Sequence, residues 1–401
     1  MSHNILRQVI GYLVLSLPFF LVTLKNFGNL SLLLLSIVGG YLFLFDKNRI
    51  RLSSELKLFS WISVVYFLIF VLSNYVNNLS NLEDYVSLFK KLHFLLIPLL
   101  AISITQTLIS IKHVLVSGFI GLFFGVIYQY YQYLHLNINT PSGLFNANIY
   151  GDILALYSIF AFCFVITQKS LFERFIGLAI FLTGFFGIAL TGSRGSILAI
   201  FVLVMIALFM QFKSSKRKIL IGLLAVLSLM TLFGLIESPI AKRFDLAYQE
   251  IEFWLSGEKL ASSVGYRLEY IRSGLLAFKE SPWIGYGLIH PETTLANFSR
   301  INLPFSHAHN EIINHLLSAG LLGFFGFTAI LFNPFLIFRK NLTIEGNQLT
   351  SQLGFIFIIG FFLFGLTHIT FQQEVINSVW MFYSVYLIAQ IKNQDSGNNS
   401  P

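Results

Sequence analysis

Two histidines precede an apolar stretch in the segment SHAHNEIINHLLSAGLLGFFGF, residues 306–327. A histidine in the first turn of a helix lies at the positive end of the helix dipole, which disfavours the imidazolium form and keeps the ring neutral. A neutral imidazole is an effective general base near pH 7. His309 is therefore a candidate base, whereas His315, which lies deeper in the predicted helix, is expected to be a packed or hydrogen-bonded core residue.

The same segment does not have the pattern of a metal site. His307 and His309 are not accompanied by a further cluster of carboxylates or cysteines, and the HExxH motif is absent. The single cysteine, Cys163, lies within an apolar run, which excludes an intramolecular disulfide. We therefore expect neither a metal nor a cofactor.

Arg194 lies in a second segment with chemical potential, TGSRGS at residues 191–196. Its neighbours Gly192 and Gly195 permit a sharp turn that aims the guanidinium along the membrane surface or into a cavity. A planar guanidinium with fixed donors suits a phosphate group. The alternative interpretation is that Arg194 lies at the membrane boundary and only extends its charge to the lipid headgroups. The turn alone does not distinguish these two roles.

Arg267 and Arg272 lie in a third segment, GYRLEYIRSGLLAFKESPWIGYG at residues 265–287, which predicts an amphipathic helix. The alternative interpretation is a solvated surface helix in which an arginine pairs with Glu269. At about 100° per residue, Arg272 lies on a different face of the helix from Arg267, so the two arginines are not expected to act alike.

The composition predicts an all-α, polytopic membrane protein. Of 401 residues, 56% are hydrophobic and 11% are charged, against roughly 25% charged in a soluble domain. A bilayer core requires about 20 apolar residues per helix, and runs approaching this length recur along the chain, whereas the strands of an outer-membrane barrel alternate in short segments. The twelve predicted spans are residues 8–24, 28–45, 57–73, 93–109, 113–134, 151–167, 175–191, 195–212, 219–236, 309–337, 353–368 and 376–391.

The net charge of +8 is interpreted as a topology signal and not as a sign of nucleic-acid binding, because basic residues gather in cytoplasmic loops. A cytoplasmic N-terminus satisfies this rule, with Lys90 and Lys91 as the clearest exception on the outer side. The basic residues of the predicted inner loops are Lys47, Arg49, Arg51, Lys112, Lys169, Arg174, the KSSKRK segment at 213–218, Arg339 and Lys340. This topology brings Arg194, Arg267 and His309 to the outer side.

Four parts of the chain follow from this topology. Residues 1–236 are predicted to form transmembrane helices 1–9, and residues 309–391 to form helices 10–12. Residues 237–308 are too polar to span a membrane and are predicted to form a loop domain on the outer side. A structureless loop of about 70 residues would be unusual, so a small helical cap is expected, with one helix stopping near Pro282. Residues 392–401 are predicted to be a disordered cytoplasmic tail.

Several of these motifs together resemble the O-antigen ligase family, which shares its C-terminal core with O-antigen polymerases. His309-Asn310, followed by nine residues and then by Gly-Leu-Leu-Gly at 320–323, is similar to the family's hallmark. Arg194 lies in an S-R-G turn, and Arg267 opens a helix that ends in P-x-x-G-x-G, as family members do. Phe145-Asn-Ala-Asn148 resembles the family's F-x-x-N element. The resemblance covers roughly residues 140 to 330.

The resemblance implies a metal-independent glycosyltransferase with a GT-C-like fold in the bacterial inner membrane, with its active site facing the periplasm. It implies transfer of a glycan from undecaprenyl pyrophosphate to a lipid A-core sugar hydroxyl, with inversion. His309 would activate the hydroxyl, while Arg194 and Arg267 would hold the pyrophosphate and stabilise its developing charge. The expected substrate-binding residues are Asn310, Asn148, Arg272 and Tyr286.

Two other functions remain as alternatives. Phe324 departs from the Gly, Thr or Tyr that often follows the last glycine in ligases, and a polymerase carries the same core. A polymerase would take a second lipid-linked glycan as its acceptor. A transporter of lipid-linked oligosaccharides is the third alternative; it would place polar residues at mid-bilayer depth on several spans, whereas here they concentrate at the outer ends.

Overall fold

The computed structural model describes residues 3–24, 26–47, 50–77, 82–107, 109–212, 239–258, 261–288, 291–304 and 308–391, with the isolated positions 215, 217, 220, 222 and 224. Within these ranges the chain forms helices and no strands. The helices are α1 His3–Thr23, α2 Phe27–Phe45, α3 Ser54–Val76, α4 Leu82–Lys91, α5 His93–Ile104, α6 Ile111–His135, α7 Ala147–Thr167, α8 Leu171–Thr191, α9 Arg194–Phe212, α10 Pro239–Ser256, α11 Ser263–Glu280, α12 Pro291–Phe298, α13 Glu311–Asn341, α14 Gln348–Thr367 and α15 Glu374–Ala389.

Ten helical segments of the described chain are long and apolar enough to cross a membrane, and α4 and α5 together form one of them. These ten overlap ten of the twelve predicted spans, and the predicted span at 376–391 overlaps the shorter apolar helix α15. The predicted span at 219–236 lies largely outside the described residues, as does the predicted tail at 392–401. The chain is therefore an all-α, polytopic membrane protein.

Helices α7 and α15 form the interior of the bundle. Helix α7 packs against α8, α9 and α14, and nearly every side chain of α15 is buried. An aromatic cluster joins these helices: the ring centroids of Tyr157 and Tyr383 are 5.9 Å apart, and Phe357 of α14 lies 5.4 Å from Trp380. These closely packed rings fill the space between α7, α14 and α15.

One end of the bundle contains most of the residues that the sequence singled out. It is formed by the C-terminal ends of α3, α8 and α14 and the N-terminal ends of α7, α9 and α13, and we call it the site end. Side-chain caps set where two of these helices begin, because Asn146 accepts a hydrogen bond from the backbone of Asn148 and Asn310 accepts one from Ile313. Helices α10, α11 and α12 lie between α9 and α13 in sequence, and α11 packs against α13.

Helix α13 is interrupted at Gly320, which the sequence predicted to lie in a continuous helix. Ala319 and Gly320 leave the helical conformation, and Gly320 has a φ of +60°. Residues 282–287, the P-x-x-G-x-G segment, occupy the break: Tyr286 N–H donates to the Leu317 carbonyl at 2.8 Å, and Leu321 N–H donates to the Pro282 carbonyl at 2.8 Å. The two glycine motifs are therefore joined by backbone hydrogen bonds.

Gly326 of α13 has a different role from Gly320. A side chain at Gly326 would collide with Ile69 of α3, so this glycine allows the two helices to approach closely, as expected. A side chain at Gly320 would instead meet the backbone of Trp283 and Ile284. The prediction of one glycine-lined helix face is therefore wrong at Gly320, because a continuous face cannot cross the break.

Candidate active site

His309 lies just before α13 and not in its first turn, because the helix begins at Glu311. Its φ of +48° is uncommon for a residue other than glycine. Asn310 fixes this turn from both sides: its side-chain oxygen accepts from Ile313 N–H at 3.1 Å, and its amide donates to the Leu366 carbonyl at 3.1 Å. Asn310, expected to bind substrate, thus positions His309 against the end of α14.

The imidazole of His309 lies between two other rings. Its centroid is 5.9 Å from that of Tyr270 on α11 and 6.0 Å from that of His368, the residue that caps α14. Tyr270 follows Arg267 by three residues, so one turn of α11 carries both. His309 is therefore held where α11 meets the end of α14.

Arg194 and Arg267 are brought close enough to influence each other. Burial lowers the pKa of Arg267, the like charge of Arg194 lowers it further, and Glu250 offsets these effects only in part. Both guanidinium groups are half-buried. Two neighbouring cations produce a positive region suited to a multiply charged anion.

The turn that carries Arg194 is supported by a buried carboxylate. Gly192 adopts the left-handed conformation with a φ of +66°, as the sequence predicted for a sharp turn. The hydroxyls of Ser193 and Ser196 are hydrogen-bonded at 2.8 Å, and Ser196 donates to Asp152 Oδ1 at 2.7 Å. Sequence reasoning missed Asp152, although a lone carboxylate in an otherwise apolar span is a signal of function or positioning.

Gly195 connects this turn to the His309 region. A side chain at Gly195 would collide with Thr367, so the start of α9 lies directly against the end of α14. Thr367 precedes His368, whose ring contacts His309. The S-R-G turn and the histidine motif, distant in sequence, are thus separated only by the end of α14.

Arg272 lies on α11 with Arg267 but has a different environment. Arg272 Nη2 donates to Glu269 Oε1 at 2.8 Å, and Arg300 Nη2 donates to Glu269 Oε2 at 2.7 Å. Burial alone would raise the pKa of Glu269, but the hydrogen bonds from these two arginines lower it to about 2. Arg272, expected to bind substrate, is thus engaged by a carboxylate, as in the alternative interpretation of this helix.

Tyr286 and Asn148, the remaining expected substrate-binding residues, lie in turns at the site end. The Tyr286 hydroxyl donates to the Ala277 carbonyl at 2.9 Å, which attaches the P-x-x-G-x-G segment to α11. Asn148 lies in the first turn of α7, where its backbone N–H donates to Asn146 at 3.0 Å. Substrate binding by these two residues stays a prediction.

Beneath His309, a buried polar chain links α13 to α3 and α4. Lys91 Nζ donates to the Tyr66 hydroxyl at 3.2 Å, and this hydroxyl forms a hydrogen bond with His315 Nε2 at 2.7 Å. His315 Nδ1 lies 2.7 Å from the Glu311 carbonyl oxygen. His315 is therefore the hydrogen-bonded core histidine that the sequence predicted, and Lys91 turns inward, which explains its exception to the loop-charge rule.

Glu311 fixes the loop that follows α14. Its Oε2 accepts from the backbone N–H groups of Thr370 at 2.5 Å and Phe371 at 3.3 Å. Lys91 donates to the Phe371 carbonyl at 3.0 Å, so the loop is held from both sides. Because His368 lies in the same loop, this network also positions a ring that contacts His309.

Within the described ranges, no group of three or more His, Cys, Asp or Glu side chains is arranged to hold a metal ion. His307 lies outside the described residues. Among the described residues, the rings of Tyr270 and His368 and the capping amide of Asn310 lie around the His309 turn.

Two comparisons with known proteins bear on the family of this chain. A protein of Haemophilus influenzae (strain ATCC 51907 / DSM 11121 / KW20 / Rd), described as uncharacterized, is 26% identical over 374 residues, which cover 86% of this chain and 90% of that protein. Residues 178–328 match the family model described as O-antigen ligase. The matched range contains Arg194, Arg267 and His309. The match over residues 178–328 supports an assignment to the O-antigen ligase family.

Proposed function

We propose that this protein is an O-antigen ligase. It transfers a glycan from undecaprenyl pyrophosphate to a sugar hydroxyl of lipid A-core, without a metal ion, on the periplasmic face of the bacterial inner membrane. The observation that carries the proposal is that the His309 ring lies beside Tyr270, one turn after Arg267 on α11, and that Arg267 in turn lies near Arg194. This arrangement supplies a base for the acceptor and positive charge for the leaving group.

The reaction is a direct displacement. The imidazole of His309 accepts the proton of the acceptor hydroxyl as its oxygen bonds to the anomeric carbon of the donor glycan. The bond between that carbon and the pyrophosphate oxygen breaks, and its electron pair stays on the pyrophosphate. Arg194 and Arg267 stabilise the charge that develops there. Attack from the face opposite the leaving group inverts the anomeric centre.

The surrounding contacts support a base that is fixed before substrate arrives. Asn310 holds the His309 turn against α14, and Tyr270 and His368 lie on either side of the ring. Glu311 holds the loop that carries His368. A catalytic side chain must keep its position within fractions of an ångström, and contacts of this kind serve that purpose.

The direct test is transfer by the purified full-length protein in lipid, with an undecaprenyl-pyrophosphate glycan as donor and lipid A-core as acceptor. His309→Ala is expected to abolish transfer while insertion and folding are retained. His135→Ala is the matched control, because this histidine is exposed at the site end, on α6. His307→Ala is expected to be milder than His309→Ala, because His307 precedes the motif. Near-wild-type transfer by a stably folded His309→Ala variant would remove the general-base role.

A deletion strain, with and without the gene restored, separates the ligase from a polymerase. Loss of a ligase leaves lipid-linked polymer that never reaches the core. Loss of a polymerase instead leaves core capped with a single repeat. The lipopolysaccharide gel pattern distinguishes these products, and the second pattern would contradict the proposed acceptor.

A further inference from the structure

A polar cavity of about 470 Å³ lies at the site end, beside the His309 region. It is formed by the turn between α1 and α2, the end of α4, the start of α7 and the loop between α14 and α15. Five of its lining residues carry side-chain amides: Asn26, Asn29, Asn146, Gln372 and Gln373. So many amides on one cavity wall set it apart from the apolar surfaces of the membrane-spanning helices.

Several of these amides are available to a ligand. The side chains of Asn26, Gln372 and Gln373 make no hydrogen bond to any described residue. Asn29 is fixed by one contact, since its oxygen accepts from the Ser378 hydroxyl at 2.6 Å, which leaves its NH₂ group to donate. A side-chain amide offers both donors and an acceptor, which matches a hydroxyl that also donates and accepts.

The charge of the cavity favours a neutral ligand. Among the described residues, one cation, Lys90, and one carboxylate, Glu374, line it, and their charges offset each other. The lining that the structure describes contains no cluster of arginines to bind a phosphate, unlike the region near Arg194 and Arg267. Phe145 adds an apolar wall, and its ring stacks on Tyr150 at 5.4 Å. Amides beside an apolar wall suit a molecule with many hydroxyls and an apolar face, which is the chemistry of a sugar.

The cavity adjoins the candidate base through one short loop. Ile369 lines the cavity, and its neighbour His368 contacts His309 with ring centroids 6.0 Å apart. Glu311 holds this loop through the Thr370 N–H. A sugar in the cavity is therefore separated from the His309 region by a fixed segment of backbone.

We infer that this cavity binds the hydroxyl groups of a glycan during transfer. The inference rests on the proposed function and extends it, because it assigns a sugar subsite to residues outside the histidine and arginine motifs. Donor glycan and acceptor core both supply such hydroxyls. Sugars bound here are held by the amides, while the arginines hold the pyrophosphate.

The test is the double variant Gln372→Leu, Gln373→Leu, which keeps side-chain volume but removes both amides. The matched control is Gln352→Leu, because Gln352 is half-buried at the opposite end of the bundle, where it pairs with Gln211. The double variant is expected to raise one glycan KM by about fivefold for each hydrogen bond lost, with kcat retained. A rise for lipid A-core identifies the acceptor, and a rise for the lipid-linked glycan identifies the donor. Both KM values unchanged, or a fall in kcat alone, would overturn the inference.

A second measurement separates this inference from the proposed function. If the wild-type protein transfers no glycan, the proposed function fails, and saturation-transfer NMR then tests the cavity directly. The probe is the oligosaccharide released by mild acid from lipopolysaccharide of the same cells. Glycan binding in the cavity predicts saturation-transfer signals from the wild type and from Gln352→Leu. It predicts a several-fold weaker signal from the double variant. No signal from the wild type, or equal signals from all three proteins, would overturn it.

Discussion

Two pairs of arginines lie at the same end of this protein, and their surroundings are opposite. Arg272 and Arg300 converge on Glu269, with hydrogen bonds of 2.8 and 2.7 Å, and they lower the pKa of this buried carboxyl to about 2. Arg267 instead lies near Arg194, and burial and this like charge lower its pKa. The first pair shares one carboxylate with α11, whereas the second pair places two like charges close together.

The difference shows why the presence of an arginine does not by itself identify a phosphate-binding site. Arg267 and Arg272 are five residues apart on one helix, so both carry the same charge and have similar reach. The two arginines differ only in the residues that the fold places next to each of them. Like charges held close together cost free energy, and such arrangements concentrate at functional sites.

After the loss of transfer expected for His309→Ala, the largest effect is expected for lysine substitution in the second pair, as in Arg194→Lys. An ammonium keeps the charge but loses the planar pair of donors that matches a phosphate. We expect kcat for transfer to fall about 100-fold, the range seen when one preorganised donor to a developing anion is removed. Single-turnover transfer with purified protein measures it. Unchanged kcat would show that Arg194 acts only as a surface charge.

A smaller loss of transfer is expected when the hydrogen bond from Ser196 to Asp152, which supports the Arg194 turn, is removed. Asp152→Leu leaves the Ser196 hydroxyl without its acceptor, and we expect transfer to fall about tenfold, because the buried hydrogen bond also orients the turn. Asp152→Asn keeps an oxygen that accepts from Ser196 and should restore most of the activity. Equal loss in both variants would contradict a positioning role.

The Glu269 cluster predicts an effect on stability instead of chemistry. Glu269→Gln should lower the free energy of local unfolding of α11 by about 1–3 kcal/mol, as weakening hydrogen bonds to a buried charged group does. In the folded protein the pKa of Glu269 is about 2, below the ordinary value near 4.3. The stabilisation by the Glu269 carboxylate is therefore fully present above about pH 4.3. It is lost as the pH falls towards the pKa of the folded protein.

Hydrogen exchange of α11 at pH 7 and pH 3 measures this contribution. The wild type should lose protection at the lower pH, and Glu269→Gln should show a weaker dependence. An identical pH response in the two proteins would place the loss of protection outside this cluster.

The smallest effect is expected from chelation. If Arg194 and Arg267 carry the charge of the pyrophosphate, no divalent cation is needed, and EDTA should leave the rate of transfer unchanged. Enzymes that use Mg²⁺ bring carboxylate ligands for it. Activity lost to EDTA and restored by Mg²⁺ would overturn the assignment of this role to the arginines.

Much of the fold and part of the candidate site could be predicted from the sequence. Apolar run length and loop charge predicted the spanning helices and brought Arg194, Arg267 and His309 to one side. Short-range spacing predicted the Gly192 turn and the end of α11 before Pro282. These features depend on neighbouring residues, which a sequence displays directly.

The features that were missed depend on contacts between distant segments. The break at Gly320 accompanies hydrogen bonds from residues 282–287 to α13. The periodicity of apolar residues in α13 does not predict these bonds. His368 and Tyr270 join His309 only through packing of α14 and α11. A polar residue at the end of an apolar span, such as His368, is the signal that could have found one of them.

The most direct test of the difference between the arginine pairs compares Arg267→Lys with Arg272→Lys, two equal substitutions on one helix. Purified protein is assayed for transfer from the undecaprenyl-pyrophosphate glycan, with folding checked by the protection of α11. We predict that Arg267→Lys lowers kcat about 100-fold, whereas Arg272→Lys changes it by less than about threefold. Equal tolerance of lysine at both positions would contradict the assignment of Arg267 to the pyrophosphate.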